Sequence, residues 1–166
     1  MAIAVVGVDL AKNIFHLHAV DQRGAVVFRC ARKRHDWIEI VRERVDPEAV
    51  IAMEACASSH HWGRLLQSHG YTVRLIPGQF VKPFVKSNKN DRVDAEAIAE
   101  AAMRPGMRFV AVKSQRQQDL QALHRVRDDV IEQRTAKANQ IRGLSAEYGI
   151  IAPVGQTSFA SQFPSG

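Results

Sequence analysis

Apolar residues in the first half of the chain alternate between short strand-like runs and helical stripes. The pattern predicts strands over residues 2–9, 14–20, 25–29, 49–53 and 71–76. It predicts helices over residues 35–45 and 58–69. Turn residues between Asp21 and Gly24 join the second and third strands as a hairpin. A hairpin followed by alternating strands and helices is typical of an α/β fold with a mixed sheet flanked by helices.

The second half of the chain is predominantly helical in pattern. Residues 79–90 are predicted as a basic loop or short helix, and the alanine-rich residues 91–103 as a helix. Residues 114–147 form one long helix or a helical hairpin. Their apolar stripe consists of Leu120, Leu123, Val126, Val130, Ile141 and Leu144. An unbroken helix would be roughly 50 Å long, so we expect it to pack against another chain or domain.

Composition favours one domain with a helical appendage and a polyanionic partner. The chain has 166 residues, 46% of them apolar, and a net charge of +6. Residues 23–44 hold seven basic and three acidic residues, and residues 74–92 hold five basic residues and one acid. Each stretch therefore carries a net charge of +4, and positive charge concentrated in this way favours a polyanionic partner.

Cysteine and histidine patterns give no metal motif, and hydropathy gives no membrane segment. Cys30 and Cys56 lie far apart, and the histidine pairs at 16/18 and 60/61 are too few for a site. No apolar run approaches membrane-spanning length, and no basic leader precedes one. We expect a cytoplasmic protein without a membrane partner.

Four carboxylates stand at positions that suit a metal-dependent site. Asp9 and Glu54 each close a buried strand, and Asp91 and Asp94 lie three residues apart at the start of a helix. Carboxylates brought together in this way can bind two Mg²⁺ ions about 4 Å apart, as in phosphoryl transfer. Other roles remain open: Asp9 as a turn cap, Glu54 as a solvated loop residue, and Asp91 and Asp94 as partners of the helix dipole.

Three segments resemble the conserved blocks of the amino-terminal domain of the DEDD transposases, which are insertion-sequence recombinases. The segments are GVDLAK at 7–12, MEACASSHHW at 53–62 and KNDRVDAEAIA at 89–99, and residues 141–155 resemble the end of that domain. The resemblance implies a ribonuclease-H-like (RuvC-like) fold followed by the long helix or hairpin. It places the four family acids, catalytic and metal-binding, on Asp9, Glu54, Asp91 and Asp94, with Mg²⁺ as cofactor and Mn²⁺ as substitute.

The resemblance also implies nucleic-acid partners. The family acts on DNA and is associated with a structured guide RNA, the bridge RNA. The basic residues expected to contact nucleic acid are Lys12, Arg74, Lys82, Lys86, Lys89 and Arg92. The long helix is expected to form a homodimer or a higher oligomer.

The implied organisation is a catalytic domain over 1–112, a helical dimerisation segment over 113–150 and a polar tail over 151–166. Family members continue into a second domain with a catalytic serine, and Ser158 and Ser161 in this tail are expected to be ordinary loop residues. We therefore expect the DEDD half of a transposase, an excised domain or truncated product, that takes part in Mg²⁺-dependent DNA strand cleavage and transfer.

Two other function classes remain open at this point. An actin-like ATPase or sugar kinase shares a start like GVDLAK, but it should also carry later glycine-rich phosphate loops. A non-catalytic nucleic-acid-binding or assembly fragment of a truncated transposase would need the basic residues and the long helix without the acids. Metal-dependent cleavage separates this fragment from the enzyme.

Overall fold

Five strands form one mixed sheet in the computed structural model, which describes residues 2–85 and 91–151, with the backbone alone for residues 91 and 92. The order across the sheet is β3-β2-β1-β4-β5. The strands are β1 (Val5–Asp9), β2 (Ile14–Val20), β3 (Val26–Lys33), β4 (Val50–Glu54) and β5 (Thr72–Ile76). Strand β2 is antiparallel to β1 and β3, whereas β1, β4 and β5 are parallel to one another. This mixed α/β sheet confirms the predicted fold class.

The helices follow the predicted order. They are α1 (Trp37–Arg44), α2 (Ser59–Ser68), α3 (Gly78–Val81), α4 (Asp91–Met103) and α5 (Gln115–Glu147), with a 3₁₀ turn over Lys82–Phe84. Helix α5 is one unbroken helix of 33 residues rather than a hairpin. Strand β3 extends beyond the predicted residue 29, because its pairing with β2 continues as far as Lys33 opposite Ile14.

Apolar side chains cover both faces of the sheet. On one face, Trp37 and Val41 of α1 and Trp62 and Leu66 of α2 are buried in one cluster with the strands. On the other face, alanines of α4 pack against the sheet. Helix α4 approaches β1 so closely that a Cβ at Gly7 would lie 2.6 Å from the backbone nitrogen of Ala99.

The chain divides into two compact units, residues 1–114 and residues 115–166. The first unit contains the sheet with α1 to α4. In the second unit the described part is α5 and the residues that follow it up to 151. No residue of α5 is buried, and Leu123 and Val126 are 66% and 61% exposed. None of the described helices is long and apolar enough to span a membrane.

Candidate active site

Asp9 and Glu54 end two neighbouring parallel strands. Each follows by one residue the paired positions Val8 and Met53, so both acids lie at the same edge of the sheet. Side chains alternate along a strand, and Asp9 therefore shares the face of Gly7, against which α4 packs. Glu54 likewise shares the face of Ala52, which is buried among the alanines of α4. The sheet thus places the two carboxylates at one edge and on one face, which we term the acid edge.

Helix α4 begins at this same edge. Near its start, Val93 shares a cavity with His16, which pairs with Asp9 across β1 and β2. Near its end, Met103 shares a second cavity with Val20, at the opposite end of β2. The first turn of α4, which contains positions 91 and 94, is therefore at the acid edge.

The described acidic side chains at the acid edge do not form a metal-binding group. Asp9 and Asp94 are half-buried and Glu54 is exposed, whereas the side chain of Asp91 lies outside the described residues. Within the part of the chain that the structure describes, no three acidic, histidine or cysteine side chains are grouped closely enough to hold a metal ion. The candidate ligands are nevertheless all carboxylate oxygens, and Mg²⁺ prefers oxygen ligands.

Gly78 leaves room for the Glu54 carboxylate. It follows the end of β5 and begins α3, and a Cβ at this position would lie 2.5 Å from Oε1 of Glu54. Glu54 pairs with Ile76 across β4 and β5, so the turn after β5 brings Gly78 to the carboxylate.

His16 is a further polar side chain at this edge, although the histidine spacing in the sequence gives no metal motif. Its Nδ1 is buried and has no hydrogen-bond partner among the described residues. The cavity that it lines, about 480 Å³ in volume, also contains His18, Arg29 and Glu96. Nε of Arg29 donates to Nδ1 of His18 over 3.1 Å, and its guanidinium pairs with Glu96 at 3.2 Å. The signal that identifies His16 is its pairing with Asp9 across β1 and β2. The sequence alone does not give the register of these strands.

The predicted nucleic-acid-binding residues differ in their placement. Lys12 follows β1 at the acid edge and Lys82 lies in the 3₁₀ turn after α3, and both are exposed. Arg74 is half-buried: its guanidinium donates to the carbonyl of Ala102 over 3.4 Å and lies 4.8 Å from the ring centroid of Phe109. These contacts favour a structural role for Arg74. Lys86, Lys89 and the Arg92 side chain lie outside the described residues, as do Ser158 and Ser161.

Comparisons with known proteins agree on one family. The family model of the DEDD transposases of the IS110 type, described as a transposase, matches residues 6–149. The chain is 50% identical over 152 residues to a probable family 20 transposase of Pseudomonas aeruginosa. It is 44% identical over 162 residues to the transposase for insertion sequence element IS1111A of Coxiella burnetii. It is 43% identical over 154 residues to the transposase for insertion sequence element IS1328 of Yersinia enterocolitica.

The alignments cover nearly all of the chain but only part of each relative. They span 92%, 98% and 92% of the chain, and 44%, 44% and 45% of the three relatives, respectively. The chain therefore spans less than half the length of the curated relatives that it matches. The residues matched by the family model include all four positions of the candidate acids.

Proposed function

Because the chain belongs to the DEDD transposase family of insertion sequences, we propose that it provides the metal-dependent domain with which such a transposase cleaves and transfers DNA strands. The placement of Asp9 and Glu54 on adjacent strand ends, on the face where α4 begins, carries this proposal. Asp91 and Asp94 would complete the donor set from the first turn of α4.

The four carboxylates would hold one or two Mg²⁺ ions, with Mn²⁺ as a substitute. When bound, the metal would polarise a scissile phosphate and lower the pKa of the attacking group. The acids themselves fix the position of the cation, and Gly78 leaves the space into which the Glu54 carboxylate extends. Four carboxylates without a cation repel one another, so metal binding should stabilise this edge.

The proposed partners are DNA and a structured guide RNA. Lys12 and Lys82 are exposed cations that could contact a backbone without reading its sequence. Lys86, Lys89 and Arg92 remain proposed contacts.

We also propose that α5 forms a homodimer or a higher oligomer. Along its length, Leu120, Leu123 and Leu144 are at least half exposed, which a second copy of the helix could cover.

Metal-dependent stabilisation and cleavage test this function. Mn²⁺ at about one hundred times its dissociation constant should raise the melting temperature by about 5–10 °C. Asp9→Asn should abolish the rise, whereas Asp46→Asn, the same change at an exposed position, should retain it. A melting curve that Mn²⁺ leaves unchanged in the wild-type chain would refute the metal site.

Cleavage should be slow in the isolated chain. We expect the isolated chain to bind nucleic acid and at most to nick branched or single-stranded DNA with Mn²⁺. We do not expect it to recombine DNA. Fusion of a relative's serine-bearing domain after residue 155 should give strand transfer only while Asp9 and Glu54 are intact. Efficient recombination by the 166-residue chain alone would contradict this division of roles.

A non-catalytic nucleic-acid-binding or assembly fragment is the second candidate. The lack of a three-ligand group among the described side chains favours it. Such a fragment would bind nucleic acid equally well with or without Asp9, and it would show no Mn²⁺-dependent stabilisation. Family membership removes the actin-like ATPase or sugar kinase.

A further inference from the structure

Arg34 follows the end of β3 and lies beside the loop that leaves Asp9. Its backbone N–H donates to the carbonyl of Asn13 over 2.9 Å, and the preceding residue, Lys33, pairs with Ile14. Residues 10–13 connect Asp9 to Ile14, so Arg34 lies at the same end of the sheet as the acid edge.

Two aromatic rings support the Arg34 guanidinium. Its central carbon lies 5.6 Å from the ring centroid of Phe15 and 5.4 Å from that of Trp62. The two rings meet edge to face at 5.5 Å, and Trp37 packs against each at 5.3 Å. A guanidinium held on rigid rings loses less side-chain freedom when it binds a ligand than a free arginine does.

The charge of Arg34 is not neutralised within the described part of the chain. No described carboxylate forms an ion pair with it, and the nearby Asp36 pairs with His35 at 2.9 Å. Arg29 and Arg104, by contrast, pair with glutamates of α4. Arg34 is exposed and so keeps guanidinium donors available to solvent.

Lys12 and Lys33 add positive charge at the same end of the sheet. Lys12 precedes Asn13, and Lys33 precedes Arg34, so both flank the hydrogen bond that joins the loop to the end of β3. Both are exposed, and neither pairs with a carboxylate among the described residues. The Arg34 guanidinium itself lies with Phe15 and Trp62, on the face of the sheet opposite to the acids.

We infer that Arg34 binds a backbone phosphate of a nucleic acid that passes this end of the sheet, on the face opposite to the acids. Lys12 and Lys33 add positive charge at the same end. A guanidinium can hold two phosphate oxygens at once, whereas a lysine acts as a point charge. The contact would fix the position of the strand without reading its sequence. The inference rests on the proposed function, but it centres on Arg34, which that proposal does not use, and it has its own test.

Binding of the full chain to a fluorescent branched DNA, followed by anisotropy, tests the inference. Arg34→Gln should weaken binding about tenfold and flatten the dependence of log affinity on log salt by about one unit. Arg34→Lys keeps the charge but loses the paired donors of the guanidinium, so its affinity for DNA should fall between those of wild type and Arg34→Gln.

Arg44→Gln is the matched control. Arg44 is also exposed, and its guanidinium carbon lies 5.8 Å from the ring centroid of Phe28. Arg44 is the last residue of α1, and the next residue, Val45, accepts a hydrogen bond from the hydroxyl of Tyr71. Tyr71 directly precedes β5, so Arg44 lies at the end of the sheet opposite to the acid edge. The Arg44→Gln variant should bind DNA within about twofold of wild type.

The outcomes separate this inference from the proposed function. Equal affinity and salt dependence for wild type and Arg34→Gln would overturn the phosphate site, and so would an equal loss in Arg44→Gln. Loss of Mn²⁺-dependent stabilisation in Arg34→Gln would also overturn it, because Arg34 would then be supporting the acid edge. A wild-type chain that binds no DNA would refute both, whereas an Asp9→Asn variant that keeps its metal response would refute only the proposed function.

Discussion

The carboxylate of Glu54 lies against Gly78, so closely that a Cβ at residue 78 would come within 2.5 Å of Oε1. The glycine therefore determines where this acid can lie at the end of β4. Because the atom in the way is the far end of an exposed, flexible side chain, an added methyl group would move the carboxylate rather than the backbone.

Gly78→Ala should therefore impair metal binding while leaving the fold intact. The displaced carboxylate should lower Mn²⁺ affinity about tenfold, which titration calorimetry would measure. Gly143→Ala is the control, since a Cβ there meets no described atom within 4 Å. Unchanged Mn²⁺ affinity in Gly78→Ala would show that Glu54 does not bind the metal from this position.

Gly7→Ala should instead destabilise the whole sheet domain. Its Cβ would meet the backbone of α4 at Ala95 and Ala99, and backbone atoms of a packed helix cannot move aside without disturbing the core. We expect a loss of about 2–3 kcal/mol in the free energy of unfolding, measured by urea denaturation. A loss below about 0.5 kcal/mol would show that α4 shifts easily on the sheet.

The exposed stripe of α5 should mediate self-association. Leu123→Asp combined with Val130→Asp places two charges on that stripe and should yield monomers by light scattering. Gln121→Asp combined with Asn139→Asp adds charges to the opposite side of the helix by its 3.6-residue period and should keep the wild-type mass. A monomeric wild-type chain at high concentration would contradict this prediction.

The lysines after β5 should contribute to nucleic-acid affinity. Replacing Lys82, Lys86 and Lys89 by glutamine should weaken binding and flatten the salt slope by about two to three units, because fewer counterions are released. Arg42→Gln combined with Arg44→Gln is the control for removing surface charge. If the triple variant keeps both affinity and slope, the binding face does not include these lysines.

His60 should make the stability of the chain depend on pH. Burial, with the charges of Lys113 and Arg64, lowers the pKa of His60, whose Nδ1 accepts a hydrogen bond from the Lys113 N–H over 3.1 Å. The folded chain therefore favours neutral His60, and the unfolded chain takes up its proton first as the pH falls. The stabilisation is fully present above the unfolded pKa of about 6.5 and is lost below it.

Thermal unfolding of His60→Gln between about pH 7 and pH 5 measures this contribution. The melting temperature of the variant should fall less steeply on acidification than that of wild type. His61→Gln, at the exposed neighbouring position, should retain the wild-type slope. A wild-type slope in both variants would rule out His60 as the source of the pH dependence.

Local pattern was sufficient to predict most secondary structure. Alternation and helical spacing placed the five strands, the helices α1 and α2 and the helix over 91–103, because burial of one face imposes a period on the sequence. The extension of β3 to Lys33 escaped prediction. Pairing with β2 stabilises residues 30–33 there, and their own sequence, rich in arginine and lysine, does not specify a strand.

The candidate acids could be selected from sequence, but their arrangement could not. Strand ends and helix starts identify Asp9, Glu54, Asp91 and Asp94, because those positions are local features of the chain. Only the tertiary structure brings Gly78 to Glu54, His16 to Asp9, and Arg34 onto the rings of Phe15 and Trp62. These neighbours depend on strand order and register, which arise from packing between residues that are distant in the chain.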